Sequence, residues 1–141
     1  MLTLKLRPDT PQHYENILIE NIQLAGSGRM LNVAPWTQFF DLKGHAPPSR
    51  TVNNITIRNL TGAFHNLGSL GGNPGDTLRD ITLENIELAL ANQTFKPGKV
   101  QNLVMKNVKV NGLSLDSTSV LRLLHGRRHP GGEKSCRELD R

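Results

Sequence analysis

Four nine-residue stretches of this chain are variations on one phrase: "YENILIENI" (14–22), "VNNITIRNL" (52–60), "LRDITLENI" (78–86) and "VQNLVMKNV" (100–108). Aligned, they read Asn or Asp, apolar, any, apolar, any, Asn, apolar. Asn16, Asn54, Asp80 and Asn102 fill the first polar column, and Asn21, Asn59, Asn85 and Asn107 the second. Between the columns, apolar residues alternate with others at period 2, which is the signature of a strand with one buried face. The apolar residue directly after each second Asn (Ile22, Leu60, Ile86, Val108) breaks that alternation, so the chain must bend there. Asn suits such a bend because it tolerates the left-handed region and can bond its own backbone. It also carries amide donors and an acceptor. Stacked about 4.8 Å apart, such side chains can bond along the stack. A ladder of this kind explains why Asn recurs rather than Gly.

The first-column residues are spaced 38, 26 and 22 residues apart. Such intervals fit one supersecondary unit per repeat with loops of variable length inserted. Long segments of 3.6-residue periodicity, required by helical repeats, are absent, and so is the fixed Leu framework of leucine-rich repeats. The fold expected is all-β: a right-handed single-stranded parallel β-helix of about four coils over residues 1–113, followed by an irregular tail over 114–141. The inserts "GHAPPSR" (44–50), "GSLGGNPGD" (68–76) and "NQTFKPGK" (92–99) read as loops on one side of the array, where binding sites usually lie. "GRMLNVAPWTQFFD" (28–41) reads as a strand-rich half coil. Beyond Gly112 the phrase vanishes and Gly, Pro and charge take over, as in a disordered or weakly capping tail or one translated from a shifted reading frame.

Composition narrows the function classes. Hydrophobic residues make up 36% and aromatic ones 4%, so the core must be built from Ile, Leu and Val. The net charge is +5, but the stretch Ser117–Arg141 supplies +3 of it, which leaves the body nearly balanced and argues against a nucleic-acid surface. Cys136 is the single cysteine, so no disulfide within the chain and no Cys/His metal spacing is possible. No acidic cluster points to calcium, and neither cofactor nor metal is expected. No apolar run has the length of a membrane helix. "MLTLKLRPDTPQ" lacks a signal-peptide core.

The longer blocks "RPDTPQHYENILIENI", "NVAPWTQFFDLKG", "SRTVNNITIRNLTGAFHNLGSLGGNPGDTLRDITLENIEL" and "GKVQNLVMKNVKVNG" resemble the C-terminal coils of glycoside hydrolase family 28, the polygalacturonases and their relatives. The resemblance covers about residues 3–113. It implies a pectin or galacturonan-type polysaccharide as partner, an extracellular or periplasmic location for the full-length family, and inverting hydrolysis. In that reaction carboxyl groups roughly 6.5–9.5 Å apart protonate the leaving oxygen and activate water. The family supplies them from an Asn-Thr-Asp-like motif and an Asp-Asp pair, followed by Gly-His-Gly and Arg-Ile-Lys. This sequence has no Asp-Asp and no Asn-x-Asp, and "GHA" (44–46) is not Gly-His-Gly. The catalytic carboxylates are therefore expected upstream of Met1, no residue here is assigned a catalytic role, and the chain alone is expected to be inactive. The alternative is a carbohydrate-binding or structural β-helix module without catalysis.

Lys5-Leu6-Arg7 stands where the resemblance places Arg-Ile-Lys, with the basic residues exchanged. Two apart on a strand, Lys5 and Arg7 are expected on one face, where they could hold a galacturonate carboxylate. The competing reading is a solvated strand face. In "PWTQFF", Trp36 offers a stacking platform and Gln38 a polar contact, against a reading in which Trp36, Phe39 and Phe40 close the coil interior. His13, His45 and His65 form no catalytic or metal pattern. The glycosylation-like triplets at Asn54, Asn59 and Asn92 are read first as parts of the repeat.

Overall fold

The computed structural model describes residues 1–36 and 41–116, and the expectations for Gln38, Phe39, Phe40 and the 117–141 tail lie outside the described residues. The strands are β1 (Leu2–Leu6), β2 (Gln12–Leu24), β3 (Arg29–Pro35), β4 (Arg50–Phe64), β5 (Asn66–Leu70), β6 (Thr77–Leu90), β7 (Phe95–Lys96), β8 (Val100–Val110) and β9 (Leu113–Leu115). The described residues are all-β, without a helix. Successive strands up to β8 alternate between two sheets, ordered β1-β3-β5-β7 and β2-β4-β6-β8-β9. Within each sheet every pairing is parallel except the last, β8 with β9. A single apolar cluster draws on both sheets.

The repeated phrase builds the larger sheet. Its copies pair in register, so Ile17, Ile55, Ile81 and Leu103 stack, as do Ile19, Ile57, Leu83 and Met105. Ile55, Ile57, Ile81 and Leu83 are completely buried. Every residue of the two polar columns has a left-handed φ of 50–58°. That single left-handed residue resets the alternation, which returns Leu60, Ile86 and Val108 to the core. The second column is a continuous ladder. Asn59 Nδ2 donates to Asn21 Oδ1 at 2.9 Å, Asn85 to Asn59 at 3.3 Å and Asn107 to Asn85 at 3.0 Å. In the first column Asn54 donates to Asn16 and Asn102 to Asp80, both at 2.8 Å.

The smaller sheet departs from expectation in one respect. Two of the inserts read as loops take part in strands, β5 (Asn66–Leu70) running into 68–76 and β7 lying within 92–99. Gly68 shows what permits the pairing: its φ is 111°, and a Cβ there would lie 1.8 Å from the Leu31 carbonyl oxygen. At the far end, β9 folds back on β8 through Asn111-Gly112, so ordered pairing continues two residues past the boundary expected at 113.

Candidate functional site

Pro8 has no backbone N–H, so the strand ladder stops before it and β1 ends at Leu6. Lys5 lies on the strand between Leu4 and Leu6, whose side chains are buried, and is itself exposed. Arg7 lies one residue beyond the end of β1. Arg7 turns with the following residues and forks onto Asp9, its Nε donating to Oδ1 at 3.0 Å and its Nη2 to Oδ2 at 2.9 Å. That bidentate pair raises the Arg7 guanidinium above its ordinary value and holds the Asp9 carboxyl below the usual carboxylate range. A ligand carboxylate approaching Arg7 would therefore compete with Asp9.

Trp36 follows β3. Its N–H donates to the Leu6 carbonyl at 2.9 Å, which continues the β1–β3 register and sets Trp36 alongside Arg7. With 37% of its surface exposed, Trp36 is not enclosed in the core. Three of the four residues singled out in the sequence (Lys5, Arg7 and Trp36) thus gather at one end of the β1–β3 pair. Tyr14 braces this corner from β2, its hydroxyl donating to the Lys5 carbonyl at 3.3 Å and accepting from Gln12 Nε2.

Beneath the corner lies a buried charge pair that sequence reading missed. Arg50 Nε donates to Asp76 Oδ1, and both side chains are 1% exposed. Arg50 Nη1 donates to the carbonyls of Arg7 (3.2 Å) and Pro8 (2.8 Å), while Asp76 Oδ2 accepts from Asn73 N (2.7 Å) and Nδ2 (3.1 Å). Asn73 Nδ2 also reaches the Leu6 carbonyl at 3.0 Å. Arg50 and Asp76 begin successive passes of the larger sheet, one step before the registered pair Thr51 and Thr77. The pair therefore ties the start of β4 and the residue before β6 to the Arg7–Pro8 segment after β1. A cavity of about 440 Å³, lined by Gly71, Gly72, Asn73, Pro74 and Lys99 among others, opens beside it.

The arrangement can hold an anion and stack a ring. Two carboxylates at this corner, Asp9 and Asp76, are each engaged by an arginine. No described group of three or more His, Cys, Asp or Glu side chains could hold a metal. His13 contacts Thr51 Oγ1 at 2.8 Å through Nδ1, on an exposed face. No helix of the described residues is long and apolar enough to cross a membrane. Comparison with protein families, characterised proteins and solved structures gives no match to this chain.

Proposed function

We propose that the two sheets are faces of a right-handed single-stranded parallel β-helix of about four coils, and that this is the C-terminal part of a polygalacturonase-like glycoside hydrolase acting on pectin. The alternation of strands between two parallel sheets and the in-register Asn ladders support the coil reading. The observation that carries the functional reading is the gathering of Lys5, Arg7 and Trp36 at one end of the β1–β3 pair. There a point-charge cation, a forked cation and an exposed indole suit the carboxylate and ring face of a uronate. The chain contributes substrate contacts, and the catalytic carboxylates come from outside it.

The competing reading, a non-catalytic carbohydrate-binding or structural module, is favoured by the arginine partners of Asp9 and Asp76. The test is a reducing-sugar assay and a binding titration of the chain on polygalacturonate, beside the Lys5→Ala/Arg7→Ala variant. Binding that weakens in the variant, without release of reducing ends, is the expected result. Hydrolysis by the chain alone would overturn the assignment of no catalytic residue and turn attention to Asp9 and Asp41. Absence of binding would leave the structural module.

A further inference from the structure

The turn between β8 and β9 carries chemistry that the Lys5–Trp36 corner does not use. Asn111-Gly112 is the single Asn-Gly step of the chain. Val110 pairs antiparallel with Leu113, and the two residues between them have left-handed φ of 50° and 78°. They are thus the centre of a two-residue hairpin loop, where Asn-Gly is a favoured pair. Asparagine is chemically labile, and most so before glycine, because no Cβ shields the glycine nitrogen from the side-chain carbon that precedes it. Asn111 and Gly112 are both exposed, and a cavity of about 590 Å³ that they line with Thr61 and Glu87 admits water to the turn.

The Asn111 side chain is nonetheless held. Its own N–H donates to the Leu88 carbonyl at 3.0 Å, in line with the β6–β8 ladder. A strand running on from there would next serve Leu90 through its backbone. The chain turns instead, and the side-chain amide makes both bonds: Leu90 N donates to Asn111 Oδ1 at 2.7 Å, and Asn111 Nδ2 donates to the Leu90 carbonyl at 3.0 Å. The amide stands in for a missing piece of strand, and it ties the root of the β8–β9 hairpin to the end of β6.

We infer that Asn111 is a site of spontaneous deamidation, held back by the Leu90 clamp, whose conversion releases β9 from the end of the larger sheet. The step needs only water. Gly112 N attacks Asn111 Cγ, the Cγ–Nδ2 bond breaks, and ammonia leaves with the Gly112 proton, closing a five-membered succinimide. Water then opens the ring at one carbonyl or the other, giving aspartate or isoaspartate. Attack requires Cγ to swing toward Gly112, and both polar atoms on that Cγ are bound to Leu90. The clamp must therefore open before the folded chain reacts. Neither product restores it. A carboxylate accepts from Leu90 N but has no proton for the Leu90 carbonyl and sets charge against that oxygen. Isoaspartate also adds a carbon to the backbone of a two-residue loop. β9 pairs with Val108, Lys109 and Val110, so its release bares that stretch of sheet edge.

The test is peptide mapping by mass spectrometry of the full chain at mildly alkaline pH, folded and in concentrated urea, with amide hydrogen exchange read on the same samples. Exchange protection at Ile55 and Ile81, both completely buried, marks the folded sample. Conversion at Asn111 is expected in urea and should be at least about tenfold slower in the folded chain, since two hydrogen bonds must break first. Leu115→Ala trims a partly buried β9 side chain packed on the core, and it should raise the folded rate several-fold while leaving the urea rate unchanged. Protection of β9 should fall as conversion proceeds, and Asn111→Asp should show that loss from the outset with Ile55 and Ile81 still protected. Equal rates in the two states would overturn the clamp. Absence of conversion at Asn111 in urea would overturn the site, and conversion that leaves β9 as protected as before would overturn its release.

Discussion

Arg50→Ala is expected to be costly although Arg50 is no part of the apolar core. It removes the partner of a carboxylate whose side chain is 1% exposed and strands the Arg7 and Pro8 carbonyls that Arg50 Nη1 satisfies. Breaking one side of a buried ion pair costs about 3–5 kcal/mol, because the remaining charge keeps its desolvation penalty without compensation. Asn73 still donates twice to Asp76 Oδ2, which places the expected loss nearer 3 than 5 kcal/mol. Against a total stability of roughly 5–15 kcal/mol for a domain, that is a large fraction, and it corresponds to a fall in Tm on the order of 10 °C. Urea denaturation followed by circular dichroism measures it, with the double variant Arg50→Met/Asp76→Leu as control. Replacing both partners by apolar groups of similar size removes the orphaned charge, so the double variant should recover at least half of the loss. A loss below about 1 kcal/mol for Arg50→Ala would refute the reasoning, since a pair worth so little behaves as an exposed one. So would a double variant less stable than the single.

Asp80→Asn is expected to stabilise the chain by about 0.5–1 kcal/mol, read as a raised urea midpoint, because an ionised Asp80 accepts from Asn102 but cannot donate to Asn54 as the other rungs do. Gly68→Ala is expected to cost about 2–4 kcal/mol, or to lose the cooperative transition, since its Cβ would meet the Leu31 carbonyl oxygen at a φ of 111°. Acid should release the Arg7–Asp9 pair. The Asp9 carboxyl sits below its ordinary value of 3.8 when folded, so its contribution is complete above that value and is lost as pH falls through the lower folded one, which an acid titration of the Asp9 carboxyl by NMR follows. Asp9→Asn removes the carboxylate that competes for Arg7, and calorimetry should show tighter binding of polygalacturonate than wild type gives.

The larger sheet was legible because its signal is local and redundant. Each polar column needs a residue that accepts a left-handed φ and can also bond its neighbours on either side, and Asn alone does both well. Strands β5 and β7 were not legible, because "NLGSL" and "FK" pair only where a neighbouring strand imposes it, with Gly68 admitting a close carbonyl. The Arg50–Asp76 pair was invisible for a different reason. The two residues are 26 apart in sequence, each at the end of an insert, and nothing local marks either as buried. Lys5 and Arg7 were placed together by period 2, and the strand that carries Lys5 ends at Leu6, before Pro8.

The two outer faces differ in what they leave unmet. Across the larger sheet Glu20, Arg58, Glu84 and Lys106 stand in register with alternating sign, and Arg58 reaches Glu20 at 2.7 Å, while the amide columns satisfy one another. That face closes its own electrostatic account and needs no ligand to do so. The register neighbours of Lys5, Arg29 and Lys96 on the smaller sheet are Ala34, Asn66 and Ser69, none of them acidic. Cations held beside neutral polar groups raise the local potential, and a flexible anionic polymer gains most by lying along such a row. The repeat therefore divides labour between its sheets. The Asn phrase supplies a face whose charges and amides partner one another, and the smaller sheet, free of that repeat, carries cations beside neutral register neighbours.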